Sequence, residues 1–192
     1  MANNSFVAQM ARVYLAPVGT SAPAGPVAEM PTGWKDVGLF TPDSLKWSTD
    51  PKFEEMRSHQ SNYATRRWQT EDAATVEVDL QEWSGDNFKA VFGGGTVTKV
   101  EVTGPPAFTY YRFAPPAIGA RTSVSVCIEL VDGTRHLRRI VPVAEQIEGV
   151  EQGFDKSKES TLPLRLSVIG SDVGDPWYDF NDIASFAPPA TP

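Results

Sequence analysis

Hydrophobic and polar residues alternate with a period of two along much of this chain, and that period marks strands. The clearest case is 75–80, where Val76, Val78 and Leu80 fall on one side and Glu77 and Asp79 on the other. One face of that strand is therefore buried and the other wet. Residues 13–16, 34–40 ("WKDVGLF"), 96–102 ("TVTKVEV") and 107–113 ("AFTYYRF") are further strand candidates, the last two ended by "GPP" and "APPAIG". "TSVSVCIELVDGTRHLRRIVPV" predicts a hairpin. Val124, Val126, Ile128 and Leu130 alternate inward, Asp132-Gly133 supplies the turn, and Leu137 and Val141 return opposite Ile128 and Val124. In that register Arg139 falls opposite Val126 and spoils the apolar face slightly. A last strand, "TLPLRLSVI", sets Leu162, Leu164, Leu166 and Val168 on one side, with Pro163 confining it to an edge or to a place where its backbone nitrogen has no partner.

The period changes once. Phe88, Val91 and Phe92 stand at i, i+3 and i+4, which predicts a two-turn helix with one apolar face. Ser84 is its N-cap, Trp83 can staple onto Phe88, and Gly93 can take the left-handed conformation that ends it. A helix this short must lie on a sheet to persist.

Three stretches carry no period. "TSAPAGPVAEMPTG" is a Pro/Ala/Gly loop with little to bury. Residues 41–72 are polar yet hold Trp47, Phe53, Met56, Tyr63 and Trp68, which predicts a long hairpin or projecting arm rather than a disordered tract. After Gly170 comes a tail with Trp177, Tyr178, Phe180, Ile183 and Phe186, too apolar to stay free, so it docks on its own domain or on a neighbour. The expected fold is mainly β: two packed antiparallel sheets forming a sandwich or barrel, one short helix, the arm, and an extended C-terminal arm. The domain spans 1–170, including the arm at about 41–72, and the C-terminal arm 171–192.

Composition narrows the function classes. At 192 residues the chain is one domain with a sizeable core. Its 24 acidic against 17 basic residues give −7, opposite to the basic surface that grips phosphates. The lone Cys127 makes no internal disulfide and reads as a small buried hydrophobe. The N-terminus lacks the basic and apolar regions of a secretory signal, and no run reaches the ~18 apolar residues of a membrane span.

The search for reactive chemistry is short. His59, His136 and Cys127 lie far apart without metal-ligand spacing, and no nucleophile elbow occurs. "FGGGTVTK" follows a helix instead of preceding one, so its glycines end the helix and cradle no phosphate. Glu54-Glu55 and Glu71-Asp72 could serve acid–base hydrolysis, but solvated loop charges are the simpler account. Arg66-Arg67 and Arg138-Arg139 suit salt bridges within or between chains. Five tryptophans leave a sugar-binding module open. Neither catalytic residue, metal nor cofactor is expected.

The ordered series "VYLAPVGTSAP", "GWKDVGLF", "SLKWSTDPKFEEMRSHQSNYATRRW", "ATVEVDLQEWSGDNFKAVFGGG" and "KESTLPLRLSVIGSDVG" covers most of the chain and resembles the major tail tube proteins of long-tailed (siphovirus-type) phages, particularly those of actinobacteria. The resemblance implies a structural virion protein. Its copies would form hexameric rings whose inner sheets join into a continuous barrel, and the rings would stack into a tube. The arm and terminal extension would bridge copies, which makes Trp47, Phe53, Met56, Arg57, Tyr63, Arg66, Arg67, Trp177, Tyr178 and Phe180 the candidate interface residues. Double-stranded DNA would pass as cargo, without membrane insertion of the protein. The tape-measure, tail terminator and distal tail proteins would be partners, with assembly in the host cytoplasm. A tail terminator or connector ring is the nearest structural alternative. An acidic bore would let a polyanion slide; Glu54, Glu55, Glu77 and Asp79 either line it or simply solubilise the chain. Trp83, Ser84, Phe88, Val91, Phe92 and Gly93 would make the helix that covers the back of the sheet.

Overall fold

The computed structural model describes residues 5–154, 156–157, 159–170, 174–183 and 186–187. Ten strands and one helix follow in order: β1 (Met10–Pro17), β2 (Lys35–Asp36), β3 (Lys46–Arg57), β4 (Ala64–Leu80), α1 (Gly85–Val91), β5 (Thr96–Val102), β6 (Phe108–Ala114), β7 (Val124–Asp132), β8 (Arg135–Gln146), β9 (Leu162–Val168) and β10 (Tyr178–Asn181). Eight of the strands make one antiparallel sheet in the order β2-β1-β7-β8-β9-β4-β3, with β10 added to β8; β5 and β6 form a separate two-stranded sheet. The large sheet stays open and does not close into a barrel.

Alternation on the strands builds the core. Val76, Val78 and Leu80 of β4 meet Leu162, Leu164 and Leu166 of β9 in register, and all six are buried. Val13, Val126, Ile128 and Val141 extend the same apolar face across β1, β7 and β8. Pro163 sits opposite Asp79, where β9 has β4 on one side, while β8 joins β9 only further on at 144–146. Its missing N–H therefore breaks no ladder.

Three sequence expectations need correction. The β7–β8 turn is Gly133-Thr134, one position later than expected, so Leu130 pairs with Leu137, Ile128 with Arg139 and Val126 with Val141. The partners shift by two residues, which preserves the buried face. Residues 34–40 do not form a continuous strand: only Lys35 and Asp36 pair with β1, and Phe40 bridges Leu80 in isolation. The loop before them buries more than its composition suggests. Ala22, Met30 and Trp34 pack on Tyr14, Cys127 and Ile140, covering the second face of the sheet, and Pro23 is wholly buried. Arg138 fastens that loop by donating to the carbonyls of Gly25 (2.9 Å) and Ala28 while pairing with Glu129 at 2.7 Å, both side chains nearly buried.

Helix α1 lies on the core face. The Ser84 hydroxyl accepts from the Asn87 N–H at 3.1 Å, and Trp83 meets Phe88 edge-on at 5.5 Å. Its end is closed by two bonds, from the Gly93 N–H to the Ala90 carbonyl and from the Gly94 N–H to the Lys89 carbonyl, the paired pattern that a left-handed residue allows. Val91 is fully buried, whereas Phe88 and Phe92 are half-buried and meet Phe113 of β6 at a tilt, 5.5 and 5.3 Å between ring centres. The small sheet is thus tethered through aromatic rings.

Candidate assembly surfaces

Beyond Thr49 and Ala74 the β3–β4 hairpin leaves the core, and its side chains at 50–57 and 64–72 are exposed. Two bulges, at 52/53 and 56/57, re-aim its faces. One face carries Phe53, Glu55 and Arg67; the other carries Glu54, Trp68, Met56 and Arg66. Phe53 and Met56 are each 53% exposed and Tyr63 at the tip 82%. A monomer gains nothing from large apolar groups held out in water on a two-stranded ribbon. Charges brace it: Arg67 and Arg57 both bind Glu55, Lys52 pairs with Glu71 at 2.5 Å, and Arg66 lies 6.0 Å above the Trp68 ring. The Arg67 and Arg57 hydrogen bonds hold the Glu55 carboxyl below its ordinary range, and Glu71 raises Lys52.

The four acids proposed for a bore fall in two places. Glu77 and Asp79 lie on the face of β4 opposite the core, and both pair with Arg165 of β9, at 3.6 and 2.8 Å. Glu55 is bound by its two arginines, and Glu54 has no ion pair among the described residues. Most of this acidity is thus already matched within the chain.

The C-terminal candidates also find partners within the chain. Strand β10 pairs with 137–140 of β8, Tyr178 and Phe180 meet each other edge-to-face and pack on the Tyr14–Cys127–Ile140 cluster, and Trp177 meets Trp47 at 5.2 Å. Asp182 and His136 exchange hydrogen bonds just beyond. Ile183 and Phe186 are described, but most of the last residues lie outside the described ones.

Two features were missed from sequence. Arg139 stands on the apolar face of β8, stacks on Trp47 and Trp177 at 4.4 and 4.6 Å, and binds Asp179 through two bonds of 2.8 and 2.7 Å. Its signal was the arginine that broke an apolar alternation. The other is the β5–β6 ribbon, whose Phe108 and Tyr110 stack 6.0 Å apart in the open. Here no signal was available, because aromatic strands usually read as core.

Among the described residues no three His, Cys, Asp or Glu converge as metal ligands. Burial pushes the Cys127 thiol up to about 12, leaving it an inert hydrophobe. The tryptophans do not share a platform: Trp34 and Trp83 donate to the carbonyls of Ser21 and Ser160, Trp68 is under Arg66, and Trp47 is paired with Trp177. A groove of about 690 Å³ between β1, β2 and α1 contains the Lys35–Asp86 pair at 2.6 Å, whose hydrogen bond lowers the Asp86 pKa.

Among the described residues the large sheet ends on β3, β5 and β6 form a two-stranded ribbon, and the arm holds Phe53, Met56 and Tyr63 exposed, an arrangement that suits a structural protein. The family comparison agrees and is specific: residues 1–188 match the phage tail tube protein family, and the chain belongs to it. It is thus a structural component of the phage tail. No curated protein matches the chain significantly.

Proposed function

We propose that this chain is the repeating subunit of the tail tube of a siphovirus-type phage with an actinobacterial host. Six copies form each ring, rings stack into the tube, and the lumen delivers double-stranded DNA. A single observation carries the reading: among the described residues a twelve-residue strand, β3, is the outermost of the sheet and runs out into an exposed arm. Unpaired N–H and C=O rows of that length invite pairing with another chain. Two different surfaces per subunit, an edge on one side and a receiving edge on the other, make a head-to-tail contact, which closes as a ring when the rotation permits.

The arm bridges rings in this reading, with Phe53, Met56, Tyr63 and Trp68 buried on assembly and Arg57, Arg66 and Arg67 at the rim. Assembly takes place in the host cytoplasm around a tape-measure protein, with terminator and distal proteins closing the ends. Negative-stain microscopy of the concentrated protein tests the reading: six-fold rings or tubes are expected. A strictly monomeric species at all concentrations and salts would overturn it.

A further inference from the structure

Trp47 stands where the arm leaves the body. It is the second residue of β3 and pairs with fully buried Val76, while the side chains two steps outward are already exposed. One side of its ring is held by Arg139 (4.4 Å) and by Trp177 edge-on (5.2 Å). Beside it opens an apolar groove of about 500 Å³, lined by Trp47 and Arg139 together with Leu45, Ile128, Leu130 and Leu137. The arm base is therefore gripped by Arg139 and Trp177, rests on the core, and borders this groove. A planar guanidinium suits this grip, because it can lie on two aromatic faces and still offer two N–H groups to Asp179.

We propose that Arg139 is the positioning residue of the arm: through Trp47 it fixes the angle at which the β3–β4 hairpin leaves the body, and β10 with the residue before it completes the fixture by supplying Asp179 and Trp177. Without the grip, Trp47 can drop into the neighbouring groove and the hairpin swings. Sequence-distant elements, the tail segment and the arm, thereby act as one unit. The inference builds on the reading of the arm as a bridge between rings, but its first test needs only the free subunit.

Spin labels at Val27→Cys and Tyr63→Cys, both exposed in the parent chain, report the distance from body to arm tip. Native Cys127 is buried and stays unlabelled. The parent should give one narrow distance distribution. Arg139→Lys keeps the charge but loses the planar stack and the fork, and should broaden or split it; Trp177→Ala should do the same, and it carries the test if the lysine variant does not fold. Val91→Ala, which weakens the core away from the grip, should leave the distribution narrow. An unchanged distribution in both clamp variants, or equal broadening in Val91→Ala, overturns the proposal. In assembly, Arg139→Lys should lose ring stacking while rings still form, and stacking at parental levels would overturn the link to assembly. Should the parent form no tube at all, the tube reading fails while the distance result still decides the role of Arg139.

Discussion

At Gly95 a side chain has nowhere to go. The backbone φ is +103°, and an added Cβ would lie 2.5 Å from the Ala114 carbonyl oxygen and 3.0 Å from the Phe113 ring. The obstacle is backbone on the neighbouring strand, so it cannot step aside. Two residues earlier, Gly93 has φ +70°, and its added Cβ would meet only the flexible Arg121 side chain at 3.3 Å. Gly93→Ala should therefore cost about 1–2 kcal/mol, the ordinary penalty of a left-handed non-glycine residue. Gly95→Ala should cost clearly more and detach β5–β6 from the helix. Urea unfolding of the two variants checks the order. Phe88 teaches the same lesson in reverse. A fully buried phenylalanine loses about 3–5 kcal/mol on truncation, but Phe88 is half-buried, so Phe88→Ala should cost about 2 kcal/mol.

Among the elements, the second face of the sheet is the one that pH should open. Tyr14, Cys127 and Tyr178 lie together there under the 18–34 loop, and burial raises the pKa of all three. Each gains its charge by losing a proton, so the folded chain holds the proton more tightly than the unfolded one. Their contribution is fully present below the unfolded values of 9.0 for the thiol and 10.0 for the phenols. It is lost as pH climbs toward the folded values, about 12 for Cys127. Stability should therefore fall between pH 9 and 12, and Cys127→Ala should flatten the fall. Denaturant titrations across that range would show it, and an identical slope in the variant would remove Cys127 from the account. This face was barely legible in the sequence. Pro23, Met30 and Trp34 recur at no regular interval, so their burial left no periodic trace, whereas β4 and β9 were legible because each buries every second residue. The β7–β8 register slipped because Asp132-Gly133 and Gly133-Thr134 both look like turns, and a shift of two leaves the alternation unchanged. Arg139 read as a blemish on an apolar strand because its partners, Trp47, Trp177 and Asp179, are far away in sequence.

On the proposed reading of the chain as the subunit of a DNA-conducting tube, the whole molecule is tested by what the passing polyanion would meet. The chain carries −7, yet on the polar face of β4 and β9 the two carboxylates Glu77 and Asp79 share one cation, Arg165. If that face lines the lumen, Arg165 is the group that would grip phosphate, and the two acids hold it in check. Glu77→Gln with Asp79→Asn keeps the size of both side chains and leaves six unpaired arginines in each ring of six. Each phosphate contact made by such a tube releases counterions, so the logarithm of its affinity for duplex DNA should fall with the logarithm of salt by about 0.9 per contact. Parental tubes should show neither retention nor that slope. Co-sedimentation of short duplex DNA with assembled tubes, across a salt series, reads both. Retention that appears in the double variant and fades with salt would place β4 and β9 at the bore. A double variant that assembles normally and still holds no DNA would move this face out of the lumen, and the conduit would then have to be lined by the exposed faces of the arm.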